Sequence, residues 1–215
     1  MIIAIDGPAG AGKSTVAQLI AGALGLKFLD TGAMYRAVTL ELLAQGLDPA
    51  SAEDCGRTAR SIELAFDARG KITIDGEPGE PAIRSSEVTR SVSAVSAHGV
   101  VRERIVERQR ELAASWGGLV AEGRDTTTVV FPKADHKFFL IASAQERARR
   151  RALELGRPGD VNAIRAEIEE RDAHDTNRAH SPLRCAVDAI VVDTDGLDAP
   201  DVAKAILGHV SGPRR

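Results

Sequence analysis

The sequence is poor in aromatic residues and in cysteine. Five phenylalanines, one tryptophan and one tyrosine are the aromatic residues of a 215-residue chain. Its two cysteines, Cys55 and Cys185, are far apart and belong to no Cys-x-x-Cys or histidine-paired motif. Their spacing therefore predicts neither a disulfide framework nor a zinc site, and we expect the reducing cytoplasm as the compartment.

Long apolar runs and an excess of one charge are also missing. No stretch of about 18 apolar residues occurs, and no basic segment precedes the apolar run at the N-terminus, which predicts neither a membrane-spanning helix nor an export signal. The net charge of −3 gives no general reason to bind nucleic acid or an acidic membrane. We therefore expect small-molecule partners only, and any anion binding must come from local clusters.

The chain has enough hydrophobic residues, 43%, to form the core of a single domain. Short β-branched runs alternate with helical periodicities, which predicts an α/β fold with a parallel sheet covered by helices. We expect helices over about 13–24 and 33–45, and strands over 2–5, 28–30, 119–122, 137–142 and 189–193. Residues 63–83 instead alternate apolar and polar residues between turn signals, which predicts a small antiparallel insertion.

A phosphate-binding motif follows the first predicted strand. In IAIDGPAGAGKST, Gly7 is followed by four residues and then by Gly12-Lys13-Ser14, at the start of a helix. This is the spacing and context of a P-loop, whose backbone N–H groups surround phosphate oxygens while the lysine reaches the β- and γ-phosphates. The Ser14 hydroxyl is the predicted ligand of the Mg²⁺ that accompanies ATP. The predicted ATP-binding residues are Gly7, Pro8, Ala9, Gly10, Ala11, Gly12, Lys13, Ser14 and Thr15.

Several classes of P-loop protein fit the rest of the chain poorly. Asp193 and Gly196 match the Asp-x-x-Gly motif of switch GTPases, but they follow the last predicted strand and leave no room for a guanine-reading motif. Motor and transporter ATPases are much larger, so a small kinase is favoured. An alcohol acceptor would require a carboxylate base, whereas a phosphate acceptor requires cationic clamps. The chain offers arginines in or beside predicted helix and strand ends: Arg36, Arg102, Arg124, Arg171 and Arg178.

Two helical segments each allow two interpretations. On one helix, Arg171, Asp175 and Arg178 would share a face, either as a salt-bridge ladder or as a holder for a ribose diol beside a phosphate. The segment 145–160 is predicted to form a helix that ends at Gly156. Its arginines form either a solvated basic face or a mobile lid that closes over ATP; they are Arg147, Arg149, Arg150 and Arg151, with Arg157 after the helix.

The stretch FLDTGAMYR contains the single tyrosine of the chain. Tyr35 and Arg36 follow a short apolar strand, at the start of a predicted helix. By composition alone, Tyr35 is equally a core aromatic and Arg36 a solvated helix residue. Beside a P-loop and the other arginines, the same stretch predicts the front edge of an acceptor pocket.

Taken together, the motifs resemble bacterial cytidylate kinases, which phosphorylate CMP and dCMP with ATP. GPAGAGKST, LDTGAMYR, EGRD followed by TVVFP, and ERDAHDTNR occur in that family's order and approximate spacing. The resemblance implies a P-loop NTPase-type sheet of five parallel strands in one kinase domain, acting as a monomer. It implies a core of residues 1–30, 95–145 and 180–215, a CMP-binding region of about 31–94 that contains the insertion, and a helical lid of about 147–165.

The resemblance also implies roles for single residues. Lys13, Arg124, Arg150 and Arg157 would be catalytic, and Arg147 would bind ATP. Tyr35 would line the nucleoside pocket. The CMP phosphate would be held by Thr31, Arg36, Arg124 and Arg178, the ribose by Arg171 and Asp175, and the base by Ser93, Arg102 and Asp125. A carboxylate facing the N4 donor of cytosine would discriminate against uracil, which presents an acceptor there.

Two positions depart from the family's pattern. Thr127 stands where the family usually has glycine, two residues after the aspartate of GRD, and Gly99 stands where a proline usually precedes the base-reading arginine. Two alternatives to CMP phosphorylation stay open. One is another small-molecule P-loop kinase, acting on UMP, AMP or a small alcohol, and the other is a nucleotide-binding regulatory protein.

Overall fold

A computed structural model describes residues 1–67 and 69–211 of the chain, which divide into two compact units. Residues 1–28, 117–177 and 181–211 form the phosphate-loop unit, and residues 29–67, 69–116 and 178–180 form the helical unit. The elements in chain order are β1 (Ile2–Asp6), α1 (Lys13–Leu24), β2 (Lys27–Asp30), α2 (Thr31–Ala44), α3 (Ala52–Ser61), β3 (Leu64–Phe66), β4 (Ile72–Ile74), β5 (Glu77–Pro78), α4 (Ser86–Ala97), α5 (Gly99–Trp116), β6 (Leu119–Gly123), β7 (His136–Ile141), α6 (Ala144–Glu154), α7 (Val161–Asn177), β8 (Ile190–Asp193) and α8 (Ala199–Ser211). A π-helical turn over Thr126–Val130 follows β6.

The predicted parallel sheet is confirmed, and it has five strands in the order β2-β6-β1-β7-β8. Strand β1 is central and pairs in parallel with β6 and β7, so the loop that follows it leaves the middle of the sheet. The central strands are apolar because helices cover both faces of such a sheet. Ile3, Ile5 and Phe138 are fully buried, and they pack with Ile20 of α1 and Ile206 of α8.

The predicted antiparallel insertion is also confirmed. Strands β3, β4 and β5 form a three-stranded antiparallel sheet, in which Leu64 pairs with Ile74. Gly76 takes a positive φ in the turn between β4 and β5, a conformation that glycine adopts without a steric cost. In the same unit α2 packs on α4, and α3 packs on α5.

Two helix boundaries differ from the sequence-based expectation. Helix α2 begins at Thr31 rather than near residue 33, because the Asp30 carboxylate caps it and accepts the Ala33 N–H at 2.9 Å. Helix α7 ends at Asn177, so Arg178 lies outside the helix on which it was expected to share a face with Arg171 and Asp175. The residues after Asn177 lead to Pro182, which disfavours helical backbone at the residue before it.

No helix in the described part of the chain is long and apolar enough to cross a membrane. The predicted boundaries between core, CMP-binding region and lid stay a prediction, because the two compact units do not test them.

Candidate active site

The loop between β1 and α1 has the backbone geometry that its glycines allow. Gly7, Gly10 and Gly12 all take positive φ. A Cβ atom at Gly7 would lie 2.2 Å from the Leu140 carbonyl oxygen, so no other residue fits there without moving the neighbouring strand. This loop therefore has the tight turn that a P-loop requires, at the carboxyl end of a central parallel strand.

Lys13, in the first turn of α1, is 5% exposed. Its Nζ donates a hydrogen bond to the Pro8 carbonyl at 2.7 Å, which uses one of three ammonium donors. Burial and repulsion by Arg124 lower the pKa of Lys13 from its ordinary value of 10.5 to about 7, against a smaller opposing effect of Glu122. The charged form of Lys13 is thus disfavoured by the largely buried Arg124, and an anion between the two side chains would relieve this repulsion.

Ser14 faces a carboxylate that sequence reasoning did not identify. Its hydroxyl donates to Oε1 of Glu122, near the end of β6, at 2.7 Å. The position of Glu122 on a strand that neighbours β1 was the available signal. A hydroxyl and a carboxylate are hard oxygen ligands of the kind that Mg²⁺ binds, so this pair fits the ion expected with ATP. The described residues contain no cluster of three metal-ligating side chains, so phosphate and water would supply most ligands.

Arg124 and Asp175, two predicted CMP-binding residues, are brought together in the phosphate-loop unit. Arg124 Nε donates to Asp175 Oδ2 at 2.9 Å, and both side chains are largely buried. Burial alone would lower the pKa of Arg124, but the nearby carboxylates of Asp175 and Glu122 outweigh it and raise the pKa. The guanidinium is therefore held charged and in a fixed orientation beside the P-loop lysine.

The buried carboxylate of Asp6, the last residue of β1, holds the loop that follows Arg124 and Asp125. It accepts two backbone N–H and two hydroxyl hydrogen bonds from Thr126 and Thr127, at 2.6 to 2.9 Å. Asp75 and Ser181 are the non-glycine residues with positive φ in the described chain. Thr127 therefore does not need the backbone freedom of the glycine that the family usually has there, and its hydroxyl adds a bond to Asp6.

The basic segment around α6 contains arginines in different environments. Arg149 and Arg157 are exposed and pair with Glu146 and Asp160, respectively, as expected of a solvated basic face. Arg150 donates to Glu146 at 2.8 Å and to the hydroxyl of Thr194 at 3.0 Å.

Arg147 is different because it is buried against the P-loop, 8% exposed by its side chain. Its Nη1 donates to the Ala9 carbonyl at 3.0 Å and to the Asp172 carboxylate. Neither interpretation of the basic segment, as a solvated face or as a mobile lid over ATP, predicted that Arg147 would be buried against the P-loop.

In the helical unit, the front edge of α2 presents the residues of FLDTGAMYR. Thr31, Tyr35 and Arg36 are all buried. The Arg102 guanidinium lies over the Tyr35 ring, 5.0 Å from its centroid, which is within cation–π range. Arg36 Nη1 donates to the Thr89 hydroxyl at 2.9 Å. The structure thus brings together the predicted wall and the predicted base-reading arginine.

Arg102 and Gly99 both lie in the first turn of α5, and each has its own contacts. Arg102 Nη1 donates to the Ser96 carbonyl at 3.0 Å, and the Ser96 hydroxyl donates to the carbonyl of Ser93. At Gly99, the first residue of α5, a Cβ atom would lie 3.2 Å from Nε2 of His180. Proline also carries a Cβ, so the departure from the family's usual proline leaves space for the His180 ring.

The predicted CMP-binding residues are divided between the two units. The phosphate-loop unit contains Arg124, Asp125, Arg171 and Asp175, and the helical unit contains Thr31, Tyr35, Arg36, Ser93, Arg102 and Arg178.

Comparison with known proteins identifies the family. The family model described as cytidylate kinase matches residues 3–211. The chain is 49% identical to the cytidylate kinase of Pelotomaculum thermopropionicum, over 99% of this chain and 97% of that protein. It is 47% identical to the cytidylate kinase of Mycobacterium avium, over 94% and 91%. The solved structure of an uncharacterised protein from Eubacterium ventriosum matches with a TM-score of 0.52 and 12% identity, over 99% of both chains, which shows the fold alone. The chain belongs to the cytidylate kinase family.

Proposed function

We propose that this protein transfers the γ-phosphoryl group of ATP to CMP and dCMP, which gives CDP and dCDP. The observation that carries the proposal is the presence of two basic side chains at the P-loop, the buried Lys13 and the largely buried Arg124. Two like charges near each other in a buried site disfavour each other. A polyphosphate beside a second phosphate supplies the negative charge that makes this arrangement favourable, and membership of the cytidylate kinase family supports CMP as the acceptor.

The donor phosphates would be bound by the loop Gly7–Gly12 and the N-terminus of α1. One Lys13 donor is used by Pro8, which leaves two N–H donors to address phosphate oxygens. Ser14 and Glu122 would hold the Mg²⁺ that accompanies ATP, and the ion would neutralise charge on the phosphate oxygens. The lid arginines Arg150 and Arg157, and Arg147 of the same segment, are proposed to act on the donor side.

The acceptor roles are proposed for each unit by itself. In the phosphate-loop unit, Arg124 would hold the CMP phosphate, Arg171 and Asp175 the ribose, and Asp125 the N4 amino group of cytosine. In the helical unit, Thr31, Arg36 and Arg178 would bind phosphate, Tyr35 would contact the nucleoside, and Ser93 and Arg102 would address the base. The contact between Arg102 and Tyr35 supports a shared role, because it fixes one side chain over the other.

The chemistry needs positioning and charge neutralisation rather than a base. The CMP phosphate is an oxyanion, so one of its oxygens attacks the γ-phosphorus directly, and the bond from that phosphorus to the β–γ bridging oxygen breaks as ADP leaves. No proton has to be removed from the acceptor. Charge that develops on the transferring group would be neutralised by Lys13, Arg124, Arg150 and Arg157.

Transfer can be tested by following the phosphorus atom itself. With ATP labelled in the γ-phosphate and CMP as acceptor, we expect the label in the β-position of CDP. Label that appears only in inorganic phosphate would refute the proposal, and label in an added sugar or shikimate but not in CDP would favour a small-alcohol kinase. Absence of any transfer would favour a nucleotide-binding regulatory protein.

We further propose that the enzyme acts as a monomer in the cytoplasm. Both cysteines are free thiols, as expected in a reducing compartment. Sedimentation in the presence of CMP and ATP would test the monomer, and a mass twice that of the chain would contradict it.

A further inference from the structure

One peptide group of the P-loop, between Pro8 and Ala9, is held from both ends by side chains. Its carbonyl oxygen accepts the Lys13 ammonium at 2.7 Å. Its N–H donates to Oδ1 of Asp172, on α7, at 3.1 Å. The orientation of this single peptide therefore sets the position of the Pro8 carbonyl oxygen, to which Lys13 donates.

Asp172 also binds the side chain of Arg147, which itself contacts the loop. Its second oxygen accepts a hydrogen bond from Nη1 of Arg147, and the same guanidinium nitrogen donates to the next carbonyl of the loop, that of Ala9, at 3.0 Å. Arg147 is fixed in turn by its Nε, which donates to the Ala142 carbonyl at 3.1 Å. Two consecutive peptides of the loop are thus bound by one ion pair.

The ion pair is well placed to restrict the loop. The side chains of Arg147 and Asp172 are 8% and 18% exposed, so water screens their hydrogen bonds only weakly. The loop also packs closely on α6, since a Cβ atom at Gly10 would lie 3.1 Å from Cβ of Arg147. A glycine-rich loop without these contacts would have more backbone conformations to lose when it binds phosphate.

We propose that Asp172 is a positioning residue for ATP, acting through the Pro8–Ala9 peptide and through Arg147. The carboxylate prevents rotation of this peptide, and so keeps the Pro8 carbonyl directed at Lys13 and the following N–H groups directed at the phosphates. The loop then loses little conformational entropy on binding, which raises its affinity for the nucleotide. This inference rests on the proposed function only in taking ATP as the nucleotide that the loop binds.

Asp172 lies next to Arg171, to which the family resemblance assigns the ribose of CMP. A defect of an Asp172 variant must therefore be assigned to one substrate or the other. If Asp172 acts through the P-loop, its loss weakens ATP binding and leaves the KM for CMP unchanged. If it served only to hold Arg171 in place, the KM for CMP would rise instead.

The test is direct calorimetric binding of Mg·ATP without any acceptor, together with the KM of both substrates. For Asp172→Ala we expect the Kd and the KM for ATP to rise about tenfold, the usual scale for losing one hydrogen bond to a charged group. Asp172→Asn keeps an oxygen that can accept the Ala9 N–H but loses the ion pair, so we expect a smaller rise. The matched control is Glu169→Ala on the exposed face of the same helix, where the carboxylate pairs only with Arg165 in the described contacts.

Unchanged or tighter ATP binding by Asp172→Ala would overturn the inference, as would a rise in the KM for CMP alone. If the alanine variant fails to fold, the asparagine variant carries the same comparison. Wild-type protein that binds Mg·ATP but does not phosphorylate CMP would refute the proposed function and leave this inference standing. Equal ATP binding by wild type and variant would refute the inference and leave the proposed function standing.

Discussion

The hydroxyl of Thr127 donates a hydrogen bond to Oδ2 of Asp6 across 2.6 Å, inside the core of the phosphate-loop unit. Asp6 is the last residue of the central strand and immediately precedes the P-loop. Thr127 belongs to the π-helical turn that follows Arg124 and Asp125. The bond therefore connects the base of the donor loop to the segment that carries two proposed acceptor residues.

Thr127→Gly is expected to destabilise the protein. The glycine variant keeps the backbone N–H bond to Asp6 but loses the hydroxyl, and it gives the unfolded chain more freedom. Together these losses cost about 1 to 3 kcal/mol of the free energy of unfolding, measured in urea. Thr127→Ser keeps the hydroxyl and serves as the control. A glycine variant as stable as wild type, with unchanged kinetics, would show that the threonine contributes neither to stability nor to activity.

Binding of ATP is expected to take up a proton at Lys13. With a pKa of about 7 in the free protein, Lys13 is mostly neutral at pH 8. Phosphate favours the charged ammonium and raises that pKa, so we expect uptake of about one proton per ATP at pH 8. At pH 6 the lysine is already protonated, and the uptake should vanish.

This uptake is measurable by calorimetry at pH 8 in two buffers that differ in their enthalpy of ionisation. Lys13→Met removes the titrating group, so the variant should bind ATP more weakly and without the buffer dependence, while it remains folded. A binding enthalpy of wild type that is the same in both buffers would contradict the lowered pKa. Kinetics of Lys13→Met close to those of wild type would contradict the P-loop assignment.

Asp175→Ala is expected to act on CMP rather than on ATP. The substitution removes the proposed ribose contact and also leaves the largely buried Arg124 without its carboxylate at 2.9 Å. The KM for CMP should therefore rise more than the KM for ATP. The free energy of unfolding should fall by about 1 to 3 kcal/mol, because a largely buried charge loses a partner.

Steady-state kinetics with each substrate varied in turn, and urea unfolding of the same samples, separate the two effects. Glu167→Ala, at an exposed position of the same helix, is the control and should change neither. A rise confined to the KM for ATP would indicate that Asp175 acts on ATP rather than on CMP.

The sequence predicted the strands and the P-loop better than it predicted which side chains contact one another. The P-loop, the parallel sheet and the antiparallel insertion were readable because strand periodicity and glycine spacing are local signals. Glu122, Asp6 and Asp172 were missed because Ser14, Thr126 and Ala9, which they bind, are 108 to 163 residues away in the sequence. The one available signal was the position of Glu122 on a strand that neighbours β1.

The arginines show the same limit. Their number beside the P-loop predicted anion binding, but spacing alone did not show that Arg147 binds the loop backbone while Arg157 pairs with Asp160 near the surface. The end of α7 at Asn177 was likewise not visible, because the helical spacing of Arg178 continues past the real boundary. The two departures from the family, Thr127 and Gly99, became interpretable once Asp6 and His180 were seen beside them.

The proposed acceptor is a cytidine monophosphate. The most direct measurement is kcat/KM for CMP, dCMP, UMP, AMP and shikimate, with Mg·ATP at saturation and ADP release as the signal. We expect the highest values for CMP and dCMP, with UMP lower because it lacks the N4 donor that Asp125 is proposed to bind. Fastest turnover of AMP or shikimate, or no turnover of any acceptor, would contradict this proposal.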